Sequence, residues 1–206
     1  SVAASTASQI VLTGVMPESL VFCAGGSIPM NGNIPNCSGA TSGAVTFNRL
    51  FSPEDTATAR SEFAASTNAL NGYSVSVSGP TMTMGASTIA AMQTAGAGVR
   101  GTNQFGMNLA TNTTTTSTPA VGAAITPTSN TTDLRAQAMV DYNQPDVFKF
   151  VPAGEVIANS GNDSTPTPAD GTAGPTNAQR YTASYIVNVA GSLLPGTYTT
   201  SLTYVC

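Results

Sequence analysis

Charge is what this chain most lacks. Only 8% of its 206 residues are Asp, Glu, Lys or Arg, where a soluble domain carries ~25%. Six basic and ten acidic residues leave a net charge of −4. The basic ones are scattered from Arg49 to Arg180, and Lys149 is the only lysine. With no basic patch, neither nucleic acid nor anionic lipid is an expected partner. Histidine is absent, which removes the commonest general base and the commonest metal ligand. Tryptophan is absent too, and with it one frequent sugar-stacking side chain. A serine nucleophile without histidine needs another base, and no Ser-x-x-Lys motif leads to Lys149. The carboxylates are dispersed rather than paired. We therefore expect no enzyme. No run reaches the ~18–20 apolar residues that cross a bilayer, so no membrane insertion is expected.

Ser, Thr, Asn, Gly and Ala take the place of the missing charge, and 41% hydrophobic residues are enough for a core. A polar but uncharged exterior lacks the repulsion that keeps protein surfaces apart. Copies of the chain itself are the expected partner. The chain opens Ser1-Val2-Ala3-Ala4-Ser5, a start that cleavage of a signal peptide would leave, and export is expected.

The cysteines agree with export. Cys23 and Cys37 bracket a loop containing Gly25-Gly26, Pro29, Asn31-Gly32 and Pro35, with little apolar content to hold it. A Cys23–Cys37 disulfide would remove unfolded-state entropy worth roughly 3 kcal/mol. Two buried free thiols would instead fit a reducing compartment. Cys206 is left over, either free or paired between subunits.

The periodicity is two. Tyr181, Ala183, Tyr185, Val187 and Val189 alternate with polar neighbours, and Tyr198, Thr200, Leu202 and Tyr204 do so after Pro195-Gly196. These two runs read as an antiparallel hairpin. Asn71-Gly72 precedes a strand through Tyr73, Val75 and Val77, with Thr81–Met84 as its short partner. Further strands are expected around Phe63, and over Ile10–Val15, Leu20–Cys23, Val45–Leu50, Phe105–Ala110 and Phe148–Val151. Single helical turns are expected at Ser52–Asp55 and Ser87–Met92. The resulting fold is all-β: one antiparallel β-sandwich, Ig-like or pilin-like, of about ten short strands over residues 1–206. It has a flexible arm at residues 1–8 and long Ser/Thr/Pro-rich loops at 111–132 and 158–179.

Few site signals stand out. Asp141, Asn143 and Asp146 are spaced oxygen ligands that could hold Ca²⁺, although Asp and Asn are equally ordinary turn residues; no other cofactor is expected. Asn112, Asn130 and Asn162 head glycosylation sequons in or beside the loops. Some surface β-domains join a lysine to an asparagine covalently. Lys149, flanked by Phe148 and Phe150, is expected on the opposite face, towards solvent.

Longer runs carry a resemblance. Met16-Pro17-Glu18-Ser19-Leu20-Val21-Phe22-Cys23, Cys37-Ser38-Gly39-Ala40, Ser66 through Val77, Gln104-Phe105-Gly106-Met107-Asn108-Leu109 and Pro195 through Cys206 occur in that order. The chain resembles the secreted β-rich surface proteins of episymbiotic candidate-phyla bacteria of the Saccharibacteria type. More distantly, the Tyr-rich C-terminal run and the early cysteine pair look like archaic chaperone–usher pilins and spore-coat U proteins. The resemblance implies a cell-surface location and a structural role, as subunit of a pilus-like filament or an S-layer. Pilins of that type complete one subunit's sheet with a strand from the next. The corresponding donor here is Ile10-Val11-Leu12, with Ile10 and Leu12 on one face. The same segment could equally be the first strand of its own sandwich. The alternative role is an adhesin that binds a host-cell glycan or protein through the long loops and exposed tyrosines.

Overall fold

Five small residues and one phenylalanine alternate through Ala57, Ala59, Ser61, Phe63, Ala65 and Thr67, and all six are buried. That stripe makes β4 (Ala57–Thr67) one of the two long strands of the fold, alongside β11 (Thr176–Asn188). The structure, a computed structural model, describes residues 13–112, 136–160 and 174–206. In it β1 (Leu20–Gly25), β4, β11 and β8 (Gln104–Asn108) form one antiparallel sheet in that order. A second antiparallel sheet runs β12 (Thr203–Val205), β5 (Ser74–Ser78), β10 (Glu155–Asn159), β9 (Gln137–Ala138). Two short hairpins complete it: β2 (Met30–Asn31) with β3 (Ile34–Pro35), and β6 (Thr83–Met84) with β7 (Ser87–Thr88). The fold is all-β, with one core cluster fed by both four-stranded sheets.

Aromatic rings join the sheets. Phe63 of β4 stacks on Tyr181 of β11 at 4.6 Å and meets Tyr204 of β12, in the opposite sheet, at 5.5 Å. Phe105 packs edge-on against Phe150 at 5.1 Å. The tyrosine hydroxyls that this places inside find partners, as buried hydroxyls must. Tyr73 bonds Tyr181 across the sheets at 3.0 Å, and Tyr185 bonds both Ser61 and Tyr204.

The outer face of β11 is covered as well. Ile186 packs with Met92 and Phe148 in a second, smaller cluster. Asn188 accepts from Thr56 and donates to Gln104. β11 is thus buried on both sides, a feature that simple alternation does not anticipate.

Several expected elements fold differently. The two C-terminal runs do not pair with each other. Both edges of β11 are occupied, by β4 and β8, so the chain crosses over and places β12 beside β5 in the other sheet. Val45–Leu50 is not a strand: Asn48 takes φ 50, its N–H bonds the Thr46 hydroxyl, and Leu50 is 92% exposed. Thr83–Met84 pairs with Ser87–Thr88 rather than with β5, so Ser87–Met92 is no helical turn. Ser52–Asp55 forms only a turn closed by Asp55 N–H to the Ser52 carbonyl. Residues 158–179, expected to be loop, contain the end of β10 and the start of β11. The Asn71-Gly72 turn is present: Gly72 has φ 69, and a Cβ there would sit 2.6 Å from the Ser160 carbonyl oxygen.

Cys23 and Cys37 are joined by a disulfide with Cα atoms 5.6 Å apart. Inside its loop, Ile28 is 1% exposed. Glu62 accepts from the Ile28 N–H at 2.6 Å and Arg180 donates to its carbonyl at 2.9 Å. These two side chains face each other at 3.6 Å. The loop is therefore clasped onto β4 and β11 by an ion pair as well as closed by sulfur. We predict that replacing both cysteines by serine lowers stability by ~3 kcal/mol, read as a lower urea midpoint at unchanged slope.

Candidate functional site

β1 and β12 are edge strands of their sheets, and Ala24, Gly25 and Tyr204 from them line one common space. There an apolar groove of about 1140 Å³ opens, larger than the ~300–1,000 Å³ usual for small-molecule sites. One wall is the non-strand segment 43–51, and the other is 189–202. Core residues Phe105, Tyr185 and Tyr204 reach it from inside. Leu50 and Leu194, 92% and 61% exposed, belong to its lining. Chemically it suits an extended apolar stretch of chain: hydrophobic surface to cover and an unpaired strand edge to hydrogen-bond.

A second feature is polar. Lys149 forms backbone bonds to Met107 on the edge of β8. Its side chain is only 12% exposed rather than turned to solvent. Its Nζ donates to Asp141 Oδ2 at 2.8 Å and to Glu155 Oε1 at 2.6 Å, and lies 5.8 Å from the Tyr142 ring centre. Tyr142, itself buried, donates its hydroxyl to Glu155 Oε2 at 2.8 Å. Burial works against the charge on Lys149. The hydrogen bonds from both carboxylates, and their negative charge, outweigh it and raise the lysine pKa. Burial and the bond to Glu155 together push the Tyr142 phenol well up.

The expected site residues separate. Ile10, Val11 and Leu12 lie outside the described residues, as do Asn130 and Asn162. Asn112 is within them and is fully buried. Its amide nitrogen donates to Asn108 Oδ1 at 2.9 Å and to the Ala110 carbonyl, which takes it out of reach of a glycosylating enzyme in the folded chain. Asp141, Asn143 and Asp146 are held in different surroundings. Asp141 is turned onto Lys149, Asp146 sits at a left-handed turn with φ 62, and Asn143 is exposed. Among the described residues no cluster of three His, Cys, Asp or Glu side chains is poised to hold a metal. No helix among them is long and apolar enough to cross a membrane. Cys206 is a half-buried free thiol, pushed up to about 11 by burial. The tyrosines expected at the surface are inside: Tyr73, Tyr142, Tyr181, Tyr185 and Tyr198 are all at most 7% exposed.

Sequence reasoning missed both features. The groove walls are coil, with no periodicity to announce them. Glu155 lies six residues beyond the single lysine, in a stretch without a strand signal. The uniqueness of Lys149 was the one cue available. No protein-family model, curated protein or solved structure matches this chain.

Proposed function

We propose that this protein is an exported structural subunit of a cell surface, assembling with its own copies into a pilus-like filament or a layer. The open apolar groove between the β1 and β12 edges carries the proposal. In it, Gln9–Thr13 of one copy enters the groove of the next, Ile10 and Leu12 bury against the groove lining, and backbone groups extend an edge strand. A disulfide-closed loop suits the oxidising side of a membrane. The nearly uncharged surface favours self-association. An adhesin role through aromatic contacts has less support, because the tyrosines named above are occupied in the core.

Deleting residues 1–15 is expected to leave a folded chain with the same circular dichroism that elutes as a monomer. The intact chain is expected to form higher-order material by size-exclusion chromatography and negative-stain microscopy. A deletion variant that still polymerises rules out strand donation.

A further inference from the structure

The lysine cluster is more than a salt bridge in its arrangement. The chain has one lysine and holds it on a sheet edge between two buried phenylalanines, with two carboxylates at contact distance. The carboxylates are not equivalent. Glu155 stands on β10 and is gripped at both oxygens, by Lys149 Nζ and by the Tyr142 hydroxyl. Asp141 lies in the turn beside Tyr142 and meets the amine through Oδ2. A nucleophile, an electrophilic carboxyl and a fixed proton carrier are thus placed together at contact distance, the amine 12% exposed and the carboxylates of Asp141 and Glu155 44% and 34%, where proximity alone gives very high effective concentrations.

We propose that Lys149 and Asp141 condense into an intramolecular isopeptide bond, with Glu155 carrying the protons. The Lys149 ammonium gives a proton to Glu155, which passes it to Asp141 and leaves a neutral amine beside a neutral carboxylic acid. The amine lone pair attacks Asp141 Cγ to form the new C–N bond. Glu155 takes a second proton from the nitrogen and delivers it to the hydroxyl on that carbon, whose C–O bond breaks as water departs. Ammonium and carboxylate become a secondary amide and one water, with no change in oxidation state and no co-reactant. The bond welds the β8-edge segment to the turn that carries Tyr142, and it does not depend on how copies of the chain assemble.

Mass spectrometry of the purified full chain tests this. The protein is expected to weigh one water less than its sequence after allowance for the two hydrogens lost to the disulfide. Trypsin is expected to leave Ala136–Arg180 as a single peptide, because an acylated Lys149 is no longer a cleavage site. Lys149→Arg and Glu155→Gln are each expected to restore the full mass. The glutamine variant should also regain cleavage after residue 149. An unmodified wild-type mass with cleavage at Lys149 overturns the proposal. So does a lost water with Lys149 still cleaved, which marks an aspartyl ring closure instead. Bond formation in Glu155→Gln overturns the role of Glu155.

Discussion

Phe63→Ala is expected to destabilise the protein by ~3–5 kcal/mol, the range for removing a large buried aromatic. Phe63 is fully buried and touches three rings: Phe22 of β1 at 6.4 Å, Tyr181 of β11 at 4.6 Å and Tyr204 of β12 at 5.5 Å. It therefore links its own strand, β4, to three others across two sheets, and its neighbours are anchored too firmly to collapse into the space. Tyr204 is bonded through its hydroxyl to Tyr185, and Tyr181 to Tyr73. The cavity persists, so its cost adds to the lost transfer energy. Whole domains hold only ~5–15 kcal/mol of stability, so the variant should be substantially unfolded at modest urea concentrations. Leu50→Ala is the control. Leu50 is 92% exposed, and its loss from a monomer should stay within ~0.5 kcal/mol. Urea titrations of both variants, compared at equal slope, decide the matter. A Phe63→Ala variant with a near-native midpoint would mean that the rings do not hold the sheets together.

Alkali should unfold this protein in a steep transition above pH ~10, where free tyrosine ionises. Burial, the largest cause in each case, raises the pKa of Tyr73, Tyr142, Tyr181, Tyr185 and Tyr204. For a phenol the proton-bound form is neutral, so the folded state keeps protons that the unfolded chain releases. Stability is fully present below pH ~10 and falls as pH rises towards the folded-state values. Each proton held back contributes a slope of ~1.4 kcal/mol per pH unit, so two tyrosines acting together remove ~3 kcal/mol per unit. The absorbance of phenolate should appear in step with the loss of near-ultraviolet circular dichroism. Gradual ionisation of these five tyrosines around pH 10 in a chain with native dichroism would contradict the packing described.

Large residues in alternation were readable. Tyr73, Val75 and Val77 mark β5, and Tyr181, Ala183, Tyr185 and Val187 mark β11, because bulky side chains two apart share a face. The first half of β4 was not readable. Ala57, Ala59 and Ser61 bury as consistently as the tyrosines, but their small size gives almost no contrast with Thr58 and Arg60. β10 hid in the same way, since Ala158 and Asn159 look like loop. Pairing was beyond reach wherever a sequence-local partner competed with a distant one. Thr200–Tyr204 looks like the return strand of β11, but β4 and β8 had already taken that strand's edges. The groove illegible in sequence is made of coil from two distant segments. At Lys149, alternation placed Phe148 and Phe150 on one face and the amine in solvent, whereas Phe148 packs with Met92 and Ile186, Phe150 joins the main core and the lysine side chain is 12% exposed. It carried no information about the Asp141 turn and Glu155 closing over it.

β11 is paired along both of its edges, by β4 and by β8. Its partners are remote: Thr56 and Asn188 are 132 residues apart, and Tyr73 and Tyr181 are 108. A β-topology built on such distant pairs is slow to form, because loop-closure entropy is spent before any contact rewards it. While the chain is being made, β1 and β4 can pair, but β8 has no place in the sheet until β11 arrives between it and β4. A ribosome or translocation channel still holding residues 176–188 would keep the sheet from closing. The order of the strands thus acts as a timer that delays closure of the sheet until β11 has been made.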